Sequence, residues 1–304
     1  GLKPLLEEEI EPHRGFDLAF EAVVRGPPGQ PLPRVRRLPE VIHGLSTLVE
    51  NAADFAGSKV RVRAIVDAGF IEIEVVDDGA GLNRERILAK AVERGTQFVG
   101  LSDFTALQMA VLAKTGAITW GGPALGEDFG AEAPDDIMEA CFDDLLVGHG
   151  EGAGWRLPVG DASELPASGA FKAKGGTLWG GNLNVICALV GTPYLPAIKG
   201  GVLFLEDANE HPYRIERQLT QLLNAGIIGQ QKAVLLGSFN RFKLIPGYDR
   251  GFNLKSVVDW MRSKTKTPVF TGLPFGHVPT KVLLPVGQKV ELMVEGRDAL
   301  IYWG

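Results

Sequence analysis

Apolar residues recur at helical spacing over 38–57, where Val41, Ile42, Leu45, Leu48, Val49, Ala52, Ala53 and Ala56 fall on one side of a helix with Pro39 in its first turn. The next two stretches, 59-KVRVRAIVD-67 and 70-FIEIEVVDD-78, change period: apolar and charged residues alternate, which predicts a hairpin with one buried face and with Arg61 and Arg63 opposite Glu72 and Glu74. A short helix follows over 83–94. Beyond it the pattern runs strand, helix, strand through Gln97–Gly100, Asp103–Lys114 and 117-AITWGGPAL-125, which is α/β organisation. Residues 126–175 are acidic and glycine-rich with weak periodicity, and 157-LPVGDASELPASG-169 has the composition of a linker. Further strands are expected at 201–208, 233–239 and 268–273, and an amphipathic helix at 212–226. The fold class read from this order is α/β: a mixed-sheet N-terminal domain followed by a smaller α+β C-terminal domain.

Composition narrows the partners. Over 304 residues, 31 Lys and Arg stand against 37 Asp and Glu, and no basic run offers a nucleic-acid footprint. Hydrophobic residues at 45% argue for a packed core rather than disorder. The two cysteines, Cys141 and Cys187, lie in apolar helical segments without metal-ligand spacing, so neither a disulfide scaffold nor a zinc site is expected. The first fifteen residues are acidic where a signal peptide is basic, and no apolar run reaches the ~18 residues of a membrane span, so a cytoplasmic chain with no membrane partner is expected.

Candidate chemistry begins at 98-FVGLSDFTAL-107. Ser102 follows a short apolar strand and opens a helix. That position suits a helix cap whose oxygen accepts an amide hydrogen bond. It equally suits a nucleophile held on a sharp strand-to-helix turn, with the Asp103 amide pointing outward beside it. His277, within 272-GLPFGHVPTKVLLPVG-287, is a rigidly presented imidazole that serves either as a structural hydrogen bonder or as a general base. Glu206 ends the apolar strand 202-VLFLED-207, where a carboxylate either meets solvent or orients a histidine.

In order along the chain, 100-GLSDFTALQ-108, 118-ITWGGPAL-125, 176-GTLWGGNLNVICALVGTPYLPAI-198, 202-VLFLEDANEHPYRIERQLTQLLNAGI-227, 230-QQKAVLLGSF-239, 247-GYDRGFNLKSV-257 and 268-PVFTGLPFGHVPTKVLLPVG-287 resemble the serine LD-carboxypeptidases of murein recycling. The resemblance covers about residues 96–304. It implies release of terminal D-alanine from a murein tetrapeptide without metal or cofactor, by a cytoplasmic and often dimeric enzyme. Ser102 would then be the nucleophile, His277 its base, Glu206 the orienting carboxylate and the Asp103 amide an oxyanion donor. Asn182 and Trp179 are lesser candidates for lining the site. The N-terminal strand, the Ala-Pro-Ser-Gly turn and the Arg-Gly-Gly-Tyr-Gly segment of that family have no counterpart in this sequence.

Residues 1–95 instead resemble part of the ATP-binding domain of sensor histidine kinases. The stretch 44-GLSTLVENAADFAGSKVRVRA-64 is similar to its asparagine box and 75-VVDDGAGL-82 to its first glycine box. That resemblance would assign Asn51, helped by Glu50, to a phosphate-bound magnesium, Asp77 to adenine, and Gly79 and Gly81 to close backbone approach. The second glycine-rich segment of the kinase domain does not follow. The expected organisation is therefore a kinase-like fragment over 1–95, a nucleophile-bearing segment over 96–165 that completes the N-terminal domain, and a C-terminal domain over 166–304. The catalytic cleft is expected between the N-terminal domain and the C-terminal region that carries Glu206 and His277. A nucleotide-binding module and an inactive fusion scaffold are the alternatives.

Overall fold

Prolines and periodicity set the first helices. The computed structural model describes residues 1–13, 18–29, 31–33, 37, 39–67, 71–78 and 84–303, and these cluster into two compact units, Gly1–Lys90 and Ala91–Gly304. In the first unit, α1 (Leu2–Ile10) buries Leu2, Leu6 and Ile10. They pack with Leu45, Val49 and Ala52 of α2 (Pro39–Phe55). Leu48, one position off that stripe, is exposed.

Beneath these helices, β1 (Ala19–Arg25), β2 (Lys59–Val66) and β3 (Ile71–Asp77) form a three-stranded sheet in that order. Strands β2 and β3 are the antiparallel hairpin that the alternation predicts, with Arg63 opposite Glu74 and paired to it at 3.1 Å. Arg61 departs from expectation. It bonds Glu21 at 3.0 Å, because β1 lies parallel to β2 with Glu21 in register beside Arg61. Alternate residues Val60, Val62 and Ala64 are fully buried on the helix side, each large apolar side chain contributing about 1.5–3 kcal/mol.

The helix α3 (Arg84–Glu93) leads to the second unit. There β4 (Val99–Gly100), a 3₁₀ turn at Ser102–Phe104 and α4 (Thr105–Thr115) precede β5 (Thr119–Gly121). The weakly periodic region carries α5 (Asp136–Val147), capped by the Asp135 carboxylate, and β6 (Gly152–Arg156). Next come β7 (Ala170–Asn182), α6 (Leu183–Leu189), β8 (Val202–Ala208), α7 (Pro212–Asn224), β9 (Ala233–Asn240), α8 (Leu254–Lys264) and β10 (Val269–Thr271). The chain ends in β11 (Leu284–Val286), β12 (Lys289–Glu295) and β13 (Asp298–Tyr302).

A seven-stranded mixed sheet runs β10-β9-β8-β7-β12-β13-β6. Its first four strands are parallel and the rest join antiparallel. Strand β8 is buried along nearly its whole length, as an apolar run between two parallel neighbours should be. The fold is thus mixed α/β, and the region expected to be the smaller α+β part carries the largest sheet. A second small sheet, β11-β5-β4, joins the strand before Ser102 to a strand near the C-terminus. The segment 96–165, expected to complete an N-terminal domain, therefore lies in the same compact unit as 166–304. The stretch 157–169 is built into this unit too, since buried Asp161 accepts from Arg262 at 2.7 Å. Among the described residues no helix is long and apolar enough to cross a membrane.

Candidate active site

Ser102 stands at φ 61, in the left-handed region, directly after β4. A non-glycine residue there costs on the order of 1–2 kcal/mol. The helix-cap alternative is not what the chain builds. Leu101 occupies the N-cap of the 3₁₀ turn and Phe104 that of α4, and neither start has a side-chain cap hydrogen bond. The strained serine is partly exposed at the tip of the turn, with Asp103 exposed beside it. That is the local geometry of a nucleophile elbow.

Glu206 and His277 are brought into direct contact: Oε2 of the carboxylate lies 2.9 Å from Nδ1 of the ring. Glu206 is wholly buried near the end of β8 rather than solvated. Its other oxygen accepts from Asn182 Nδ2 at 3.2 Å. A buried carboxylate bonded to an imidazole favours the charged ring, and the Glu206 hydrogen bond raises the His277 pKa above its ordinary value against the opposing effect of burial. The loop carrying His277 is clamped from β9, where the Ser238 amide donates to Phe275 at 2.8 Å and Asn240 Nδ2 donates to the His277 carbonyl at 2.7 Å. Gly276 sits at φ 121, and a Cβ there would stand 3.0 Å from Glu206 Oε2, so only glycine lets the ring turn onto the acid.

One further link ties the elbow to this pair. Thr105 Oγ1, three residues after Ser102 and almost fully buried, accepts the Asn182 backbone N–H at 3.0 Å. The side chain of the same Asn182 bonds Glu206 and caps α6 through Val185 at 3.1 Å. Gly181, at φ 136, admits Thr105 where a Cβ would lie 2.4 Å from its hydroxyl. Among the described residues no hydrogen bond joins Ser102 to His277. What connects them is the relay Thr105, Asn182, Glu206. Replacing Thr105 by valine keeps shape but strands a buried N–H, and is expected to cost about 1–3 kcal/mol in chemical denaturation.

Of the lesser candidates, Asn182 belongs to the site. Trp179 does not: it is buried and donates to Gln231 at 3.2 Å, a structural bond. Asp207, next to Glu206, has its carboxyl pushed up to about 6 by burial. The Cys187 thiol is pushed up to about 12, also by burial, which leaves it without thiolate at neutral pH. Sequence reasoning missed Thr105, Asn240 and two ion pairs beside His277, Arg241 with Glu127 and Lys281 with Asp128. No local pattern announces any of them.

In the first unit, Asp77 ends β3, half-buried and paired in register with Val60. Its neighbour Asp78 is a fastened carboxylate too exposed to be part of a buried site. It accepts from the amides of Gly57, Ser58 and Lys59 at 3.0, 2.8 and 2.8 Å and from the Ser58 hydroxyl, bonds that hold its pKa well below the usual range. Glu50 is exposed on α2. Gly79, Gly81 and the side chain of Asn51 lie outside the described residues. Among the described residues no group of three His, Cys, Asp or Glu is placed to hold a metal ion.

Comparison with known proteins bears on this geometry. Residues 175–292 match the model of the LD-carboxypeptidase C-terminal domain. The "Probable murein peptide carboxypeptidase" of Bacillus subtilis is 28% identical over 209 residues, covering 68% of this chain and 63% of that protein. The microcin C7 self-immunity protein of Escherichia coli is 29% identical over 225 residues, 67% and 64% of the two chains. The chain thus spans a little over three fifths of each of these two curated relatives. Among solved structures, a muramoyltetrapeptide carboxypeptidase from Oxalobacter formigenes superposes with a TM-score of 0.66 at 32% identity, covering 92% of this chain and 98% of that one.

Proposed function

Because the chain belongs to the LD-carboxypeptidase family, we propose that it is a serine carboxypeptidase that releases terminal D-alanine from murein tetrapeptides by hydrolysing an L,D-peptide bond. The observation that carries this reading is the 2.9 Å bond between His277 and the buried Glu206, with the strained Ser102 tied to the same acid through Thr105 and Asn182.

The bond to Glu206 fixes Nδ1–H, so Nε2 is the basic nitrogen. As Ser102 Oγ bonds to the scissile carbonyl carbon, its proton passes to Nε2 and negative charge develops on the carbonyl oxygen. The amide of Asp103, the residue next to the nucleophile in the chain, is the proposed donor to that charge, a contribution of about 3–4 kcal/mol in acyl transfer generally. Collapse breaks the C–N bond, and the proton on Nε2 goes to the departing amine of D-alanine. Water then attacks the acyl-serine with His277 again as base, and the proton returns to Ser102 as the shortened peptide leaves. No step needs a metal or a redox partner.

The test is D-alanine release from a muropeptide tetrapeptide by the intact chain and by Ser102→Ala; equal rates would overturn the assignment. The pH profile gives a second check. The base works only when neutral, and the Glu206 bond raises the pKa of His277. Thus kcat/KM is expected to climb with pH through a midpoint above ~6.5. The stability that the charged pair adds runs oppositely: full below the ordinary histidine value, lost as pH rises through the raised one. A rate midpoint below the ordinary value would contradict the Glu206 pairing.

A further inference from the structure

Resting on the carboxypeptidase reading, we propose that the cavity beside His277 is the subsite for the departing D-amino acid and that Arg241 binds its free carboxylate. The cavity holds about 200 Å³ and is walled by Arg241, Lys281, Glu127, Asp128, Met138 and Pro279 together with His277 itself. It is smaller than the ~300–1,000 Å³ typical of drug-sized pockets, and so suits a single small residue. His277 lines the cavity, and because its Nδ1 is taken by Glu206, Nε2 is the atom left to protonate the departing amine. The carboxylate of that residue is only two bonds from the amine nitrogen, which places it among the charges of this wall.

The balance of donors and acceptors favours an anion. Asp128 is spent on Lys281 and on the Ala124 amide at 2.7 Å. Asp135 is spent on Thr280 and on the Met138 amide. Glu127 has Arg241. The cations keep capacity in hand: a guanidinium carries five N–H donors and an ammonium three, while Arg241 and Lys281 each have one hydrogen-bonded carboxylate partner. The two pairs also differ in what they can give up. Lys281 and Asp128 are almost fully buried, a fixed part of the wall. Arg241 and Glu127 are about half-exposed, an ion pair of the kind that contributes little and exchanges readily. Glu127 is thus a place-holder that keeps Arg241 aimed until a substrate carboxylate replaces it.

That exchange gives a test with opposite signs. Arg241 sits at φ 58, a conformation that asparagine tolerates, so Arg241→Asn removes the charge without new backbone strain. KM for the free-acid tetrapeptide is expected to rise about tenfold or more in that variant, while KM for the C-terminal amide stays within about threefold, and Arg241→Lys recovers part of the loss. Glu127→Gln frees the guanidinium and is expected to lower KM for the acid. A purely structural ion pair would make both substitutions act in the same direction on both substrates. That result, or an unchanged preference for acid over amide, overturns the subsite. Failure of the underlying reading is separable: if cleavage of the last peptide bond depends on Ser102 in neither substrate (D-alanine leaving the acid, D-alaninamide the amide), the carboxypeptidase assignment falls and the subsite with it.

Discussion

Ser102→Ala is expected to lower kcat for D-alanine release by about 10⁴-fold or more, while unfolding at nearly the wild-type denaturant concentration. The two halves of this expectation have separate causes. Alanine at φ 61 carries the same Cβ in the same left-handed backbone, so the elbow is strained to the same extent before and after. Only the hydroxyl is lost, and neither Cys187, held as a thiol, nor Thr105, with its oxygen committed to Asn182, is set to replace it. Ser102→Gly sharpens the experiment. Glycine adopts the left-handed conformation without penalty, so this variant is expected to be as inactive as the alanine one yet more stable by about 1 kcal/mol. Activity in both variants would remove the serine mechanism. A destabilised glycine variant would remove the claim that strain is stored at the turn.

How much of this was legible in the residues depends on what kind of order each part has. The helix over 38–57 and the hairpin after it were readable because one face of each is buried, which writes a period into the sequence. Residues 157–169 were misleading for the opposite reason. Proline and glycine there serve a tight turn whose Asp161 is anchored by Arg262, a partner 101 positions away that no local window contains. Arg61 shows the same limit, since its partner Glu21 is fixed by a parallel strand lacking clear alternation. At the site, the three candidate triad residues were singled out by ordered family resemblance; composition and spacing left each with an ordinary structural explanation. The depth of Glu206 could not be read. A strand-end acid is usually solvated, and this one is dry only because β8 lies between β7 and β9 and the His277 loop covers its end. Arg241 and Lys281 carried no signal because charges on irregular loops follow no period.

Glu206→Gln is expected to reduce kcat by about 10³–10⁴-fold with the chain still folded, a larger loss than its small change in shape suggests. Both carboxylate oxygens are acceptors in use, one for Asn182 Nδ2 and one for His277 Nδ1. Glutamine supplies one oxygen and one donor. If its oxygen stays with His277, the new NH₂ faces the Asn182 NH₂, donor against donor in a buried place; Asn182 can turn over only by giving up the oxygen that caps α6 through Val185. If the oxygen goes to Asn182, the NH₂ donates to Nδ1, which forces the proton onto Nε2, and a ring protonated there cannot take the serine proton. Either arrangement also removes the charge that offsets the imidazolium, so the apparent pKa of His277 is expected to fall. Nitrogen NMR of labelled His277 reads the tautomer directly, and the kinetic pH profile reads the pKa. A glutamine variant within about tenfold of wild type, with Nδ1 still protonated and its pH midpoint unmoved, would show that the buried carboxylate does not orient the base.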